Sequence, residues 1–167
     1  MTGVAAGGFH TCAVLQNGQL KCWGFGKFGQ LGQGNERDIG DELYEMGENL
    51  SSISLGSGRS VLQVAAGGLH SCALLDNNAV KCWGDGRYGQ LGQENALNVG
   101  SASGEMGDNL QAVDLGSGRH AVQISTGAWH SCALLDDASV KCWGAGLSGS
   151  ATHSALGALP RWATGSG

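Results

Sequence analysis

The sequence predicts an all-β protein: a partial β-propeller of about three four-stranded blades on a 60-residue repeat, the third blade incomplete. Three observations carry this. First, the stretch HSCALLDNNAVKCWGDGRYGQLG (70–92) recurs as HTCAVLQNGQLKCWGFGKFGQLG (10–32) and HSCALLDDASVKCWGAGLSG (130–149), with no insertion or deletion disturbing the 60-residue spacing. A fixed period of this size marks a propeller, a solenoid or an array. Second, a full copy holds four short runs rich in strand formers, the content of one propeller blade. Third, glycine is 31 of 167 residues and proline only one, as expected where tight turns link many short strands. The chain reads as a single repeat module over 1–167, with repeats 1–60, 61–120 and 121–149 and a divergent tail at 150–167.

The second copy shows the elements in order. VLQVAA (61–66) is an apolar run ended by Gly67 and Gly68. HSCALL (70–75) follows; by strand alternation His70, Cys72 and Leu74 share one face, and Ser71, Ala73 and Leu75 the other. Asp76-Asn77-Asn78 reads as a turn and AVKCWG (79–84) as a third strand. A glycine-punctuated loop and a long polar stretch lead to QAVDL (111–115), expected to be the fourth strand. The small residues AAGG (5–8 and 65–68) and STGA (125–128) suit an innermost strand, where blades crowd toward the axis. Trp23, Trp83 and Trp143 are expected to fill the interfaces between blades, as large flat rings do between twisted sheets.

The hairpin register is testable. In the first copy Gln16-Asn17-Gly18 fits a three-residue loop with glycine at the left-handed position. Leu15 then faces Gln19, and Cys12 faces Cys22. Asn78 suits the same position in the second copy, whereas Ala138 suits it poorly and suggests a different turn. Opposed Cβ atoms lie about 4.5–5.5 Å apart, close to what a disulfide tolerates. The expected pairs are Cys12–Cys22, Cys72–Cys82 and Cys132–Cys142. Two other readings stay open: reduced cysteines packing as small hydrophobes, and a metal site of His10, Cys12 and Cys22, which lacks a recurring fourth ligand.

The totals exclude some classes. Lys plus Arg is 9 against 14 Asp plus Glu, a net charge of -5, so no nucleic-acid partner is expected. No run of eighteen apolar residues occurs, so no membrane span is expected. MTGVAAGGFH already belongs to a repeat and does not read as a signal peptide. No serine or carboxylate recurs in a triad with His10, His70 and His130, which read as structural histidines bonding nearby backbone. GxGxxG occurs from Gly24 and from Gly84, but no helix pattern opens after it, so a dinucleotide site is not expected. No cofactor is expected.

At GGxHxCAL, CWGxG and GQLG the chain resembles the regulator of chromosome condensation repeat family over roughly residues 4–149, in a cysteine-paired variant similar to extracellular forms. The resemblance implies a β-propeller, usually of seven blades. Three blades cannot close a ring, so further blades of the same protein or other protein chains are the expected partners. Two expectations of function follow. The first is a non-enzymatic structural or interaction module, a piece of a larger extracellular protein or assembly in an oxidising compartment. Its long loops, 33–52 and 93–112, are the contact surfaces, with Asp38, Asp41, Glu42 and Tyr44 in one and Asn98, Ser101, Ser103 and Glu105 in the other. The second is a regulatory propeller acting as a guanine-nucleotide exchange factor for a small GTPase. The acidic residues of 38–48 could bind calcium but read more simply as solvated surface charge. Asn49-Leu50-Ser51 is a sequon, so Asn49 is a candidate N-glycan site.

Overall fold

The structure is a computed structural model describing residues 2–146. The end of the third repeat and the 150–167 tail lie outside the described residues. Three antiparallel sheets follow one another along the chain. The first holds β1 (Gly3–Ala6), β2 (His10–Val14) and β3 (Leu20–Gly24). The second holds β4 (Val61–Ala66), β5 (His70–Leu75) and β6 (Val80–Gly84). The third holds β7 (Ala121–Thr126), β8 (His130–Leu135) and β9 (Val140–Gly144). The strand order follows the sequence, so each sheet is a simple meander.

The hairpin register places Cys12 opposite Cys22, Cys72 opposite Cys82 and Cys132 opposite Cys142. Each pair is bonded, and no cysteine is free. The sulfurs of Cys12 and Cys22 are therefore committed to each other, which overturns the metal reading. The three turns share one geometry. Gly18, Asn78 and Ala138 all take the left-handed conformation, with φ of 78°, 63° and 65°. Ala138 thus departs from expectation: it keeps the same turn despite its Cβ. The preceding side chain explains this. Asp137 accepts from the Ser139 backbone N–H at 3.0 Å and its hydroxyl at 2.6 Å, the position that Asn17 and Asn77 fill in the other hairpins. Such a side-chain turn pre-sets the loop whatever residue follows.

The expected four-stranded blade is corrected to three strands and a bridge. Ile53 and Ala112 touch the third strands only as isolated pairs with Leu20 and Lys81. The carbonyls that would extend the ladder are taken elsewhere. Leu55 O accepts from the Lys81 amine at 2.8 Å, and Gln111 O from the Gln93 amide at 2.8 Å. With its backbone spent on neighbours, the segment serves as an apolar plug. Leu50, Ile53 and Leu55 are buried, as are Leu110 and Leu115.

Two buried clusters result, and both span blades. Val14, Leu20 and Leu55 of the first blade join Val64, Leu75 and Trp83 of the second. Cys72, Val80 and Leu91 of the second join Ile124, Leu135 and Trp143 of the third. A blade thus completes its core against its neighbour, as stacked repeats do. The close approach follows the inner strands: a Cβ at Gly7 would lie 2.4 Å from Gly67 O, and at Gly67 2.7 Å from Gly127 O. The small residues expected at the axis are a requirement of blade contact.

Candidate interaction surface

Two constructions repeat with the 60-residue period: a buried lock between blades and a hydrogen-bonded loop at their rim. The lock begins at each strand-leading histidine. His10 Nε2 lies 2.8 Å from Ser71 Oγ in the next blade, and Ser71 Oγ donates to Gln30 O at 2.9 Å. Trp83 Nε1 donates to the same carbonyl at 3.0 Å. The second interface is the same: His70 to Ser131 at 2.9 Å, Ser131 to Gln90 O at 2.9 Å, and Trp143 Nε1 to Gln90 O at 2.9 Å.

A serine hydroxyl has one proton. It goes to the glutamine carbonyl, so the histidine must donate from Nε2 and carry its lone pair on Nδ1. Nδ1 of His10 and His70 is buried with no hydrogen-bond partner. Burial holds both imidazoles at a pKa of about 4, so they are neutral at physiological pH. This corrects the expectation that these histidines bond nearby backbone. Their partner is a side chain on the next blade. The serines and glutamines were missed, although the hydroxyl after each histidine (Thr11, Ser71, Ser131) and the glutamine of GQLG recur in the sequence. Trp83 and Trp143 are buried at the blade contacts as expected; Trp23 is half-buried.

The rim loops share one frame. Asp38 and Asn98 accept from Gly26 N and Gly86 N, at 2.9 and 3.1 Å. Glu45 gathers the N–H groups of Gly40 and Glu42, and Glu105 those of Gly100 and Ala102. The Gly40 and Glu42 N–H groups hold the Glu45 carboxyl below the usual range. Asn49 donates to Tyr44 O at 2.7 Å and Asn109 to Gly104 O at 2.8 Å. Asp38, Asn98 and Glu105 are thus placed as frame residues. Asn49 is exposed, but its amide does the work that Asn109 does without a sequon.

What differs is the tip. Residues 41–44 read Asp-Glu-Leu-Tyr, and 101–104 read Ser-Ala-Ser-Gly. Asp41, Glu42 and Ser103 are exposed and Ser101 half-buried. Leu43 and Tyr44 are 86% and 83% exposed. Tyr44 has φ 69° where Gly104 has 86°. A left-handed conformation costs a residue with a Cβ about 1–2 kcal/mol.

Meandering sheets that share cores and lock through a repeated histidine–hydroxyl–carbonyl contact define tandem blades of a β-propeller. The sequence model described as Regulator of chromosome condensation (RCC1) repeat matches residues 1–30, 61–90 and 121–150, and a second of the same description matches 17–74. The chain belongs to this repeat family. It is 33% identical over 146 residues to the human E3 ubiquitin-protein ligase HERC2, covering 86% of this chain but 3% of that protein. It is 34% identical over 143 residues to the Ultraviolet-B receptor UVR8 of Arabidopsis thaliana, covering 84% of this chain and 28% of the receptor. Among solved structures, Prp20p from Saccharomyces cerevisiae, described with its binding properties to Gsp1p and histones, superimposes with a TM-score of 0.61 at 26% identity, over 84% of this chain and 31% of that one. Human WBSCR16 gives 0.63 at 22% identity, over 86% and 33%. The chain therefore spans a small part of the relatives it matches.

Proposed function

We propose that this chain is a non-enzymatic, protein-binding segment of a propeller, and that its contact surface is the tip of the first rim loop, Asp41 to Tyr44. One observation carries the reading. Two loops share a frame, yet only one presents a tyrosine to solvent, held in a backbone conformation that glycine fills in the other; the exposed leucine of the second loop, Leu97, lies outside its tip. Strain kept at an exposed aromatic residue is a mark of a functional position. Tyrosine is also among the residues that dominate binding hot spots. The partner is a protein offering an apolar pocket for Leu43 and Tyr44 with a basic rim for Asp41 and Glu42. Three cystines suit an oxidising compartment, outside the cell or in a secretory lumen. The likeness to Prp20p favours the second reading, a regulatory propeller acting on a small GTPase. That reading needs the six cysteines reduced in the cell, which thiol labelling of freshly extracted protein decides.

The test replaces residues 41–44 by Ser-Ala-Ser-Gly. The expected outcome is an unchanged circular dichroism spectrum and loss of the partners crosslinked by the native chain. Retention of the same partners would move the function off this loop.

A further inference from the structure

The chain has two tyrosines, and the repeats set them in opposite surroundings. Tyr44 stands at the tip of the first rim loop and is 83% exposed. That exposure belongs to the loop position itself. The matching residue of the second loop is Gly104, and a Cβ there would meet no atom beyond its chain neighbours within 4 Å. Yet the second loop lies against the blade before it: a Cβ at Gly34 would be 3.3 Å from Ala102 O and 3.5 Å from Ser103 Cα. A side chain at this position therefore points to solvent even where a preceding blade is packed beside the loop. Tyr88, by contrast, has its ring against Trp129, with centroids 5.5 Å apart.

The charges around the two tyrosines also differ. Asp41, Glu42, Glu45 and Glu48 lie within four residues of Tyr44, and no lysine or arginine does. Tyr88 follows Arg87, and the one carboxylate within four residues of it, Asp85, is buried and bound by that arginine at 2.9 Å. The acidic tip is not a requirement of the loop, since Ser-Ala-Ser-Gly sits on the same frame in the second copy. Three cystines suit a secretory lumen. There the group transferred to an exposed tyrosine is sulfonate, and the enzymes that transfer phosphoryl groups from ATP work on the other side of the membrane.

We propose that Tyr44 is an acceptor for tyrosine sulfation. A sulfotransferase must draw an exposed loop into its site, and a basic groove on the enzyme holds acidic flanks there by charge complementarity. The Tyr44 hydroxyl oxygen attacks the sulfur of a phosphoadenylyl sulfate donor. The new O–S bond forms as the S–O bond to the donor's phosphate breaks. A base of the transferase takes the phenolic proton, and adenosine bisphosphate leaves. No electrons change hands between the two molecules. The product is a fixed anion at the outer end of the ring. The sulfate deepens the rim-loop reading and rests on it: with the ring in the partner's apolar pocket, the sulfate reaches the basic rim.

Peptide mass spectrometry tests this on the chain secreted from cultured animal cells behind a cleavable leader. The peptide holding Tyr44 is expected to carry the mass of one added sulfonate, stable to phosphatase and lost when chlorate blocks synthesis of the donor. The peptide holding Tyr88 is expected to carry none. Asp41→Asn combined with Glu42→Gln, both at exposed positions, should lower the sulfated fraction several-fold and leave the circular dichroism spectrum unchanged. An unmodified Tyr44 in the folded, secreted chain would overturn the proposal. So would a group that phosphatase removes, equal sulfation of both tyrosines, or a sulfated fraction indifferent to the acidic pair. The two readings fail apart. If Tyr44 is unmodified but crosslinked partners still vanish when residues 41–44 are replaced, the sulfate alone is wrong. If partners survive that replacement, the rim-loop reading is wrong.

Discussion

At the scale of single residues, the buried histidines decide how this chain responds to acid. His10 and His70 have a folded pKa near 4, well below the ordinary value of 6.5. Between those values the unfolded chain binds more protons than the folded one. Stability is therefore fully present above about pH 6.5 and falls as pH drops toward 4, by on the order of 3 kcal/mol per histidine. Urea midpoints at pH 7.5 and pH 4.5 would show it: the acid midpoint should be lower, and His10→Gln should flatten the difference. An equal or higher acid midpoint would contradict the buried neutral imidazole. The serine is as consequential. Ser71→Ala leaves the His10 N–H without its acceptor, and should cost about 1–3 kcal/mol. Thr11→Val removes a hydroxyl with no histidine against it among the described residues and should be near neutral in the dilute chain. Thermal melts of both variants separate a lock from a generic effect of the position. The sequence showed the histidine and the hydroxyl side by side in every copy, but not their pairing. The bond joins residues 61 apart, and only blade packing brings them together.

At the scale of the element, the hairpin was the most legible part of the chain. Turn chemistry at Gln16-Asn17-Gly18 fixed the register, and the register fixed the cystines. Each bridge closes a short loop, which the chain-entropy model values at about 2–3 kcal/mol, less whatever the turn already orders. Reduction should lower the urea midpoint without abolishing the sheets, and non-reducing peptide mapping should find only bridges within a repeat. The fourth strand was the least legible. QAVDL and SISL alternate as strands do, yet lysine and glutamine side chains from elsewhere take their carbonyls, and no local pattern reveals such long-range partners. The rim loop carries its own prediction. Tyr44→Gly removes the left-handed strain, partly offset by glycine's greater freedom when unfolded, and should raise stability by up to about 1 kcal/mol. Its binding should fall at the same time. A variant that loses stability would mean that Tyr44 makes folded-state contacts outweighing its backbone cost.

At the scale of the whole molecule, the period predicts a surgical result. The first blade presents His10 and Gln30 O to the second as the second presents His70 and Gln90 O to the third. Gly8 lies against Gly68 as Gly68 lies against Ala128. Excising residues 61–120 joins Ser60 to Ala121, a junction equivalent to the native one between His120 and Ala121. His10 then meets Ser131, and Gln30 O meets both that hydroxyl and the Trp143 indole. The shortened chain should fold, keep two cystines and bury His10, with a lower melting temperature because one interface is lost. In a quasi-one-dimensional array each interface contributes its own share of stability. The same excision carrying Ser131→Ala leaves the His10 N–H without an acceptor. That chain should melt at a still lower temperature, by about 1–3 kcal/mol of lost stability. If both shortened chains melt alike, the histidine lock does not hold the blades together, and the shared apolar clusters alone do.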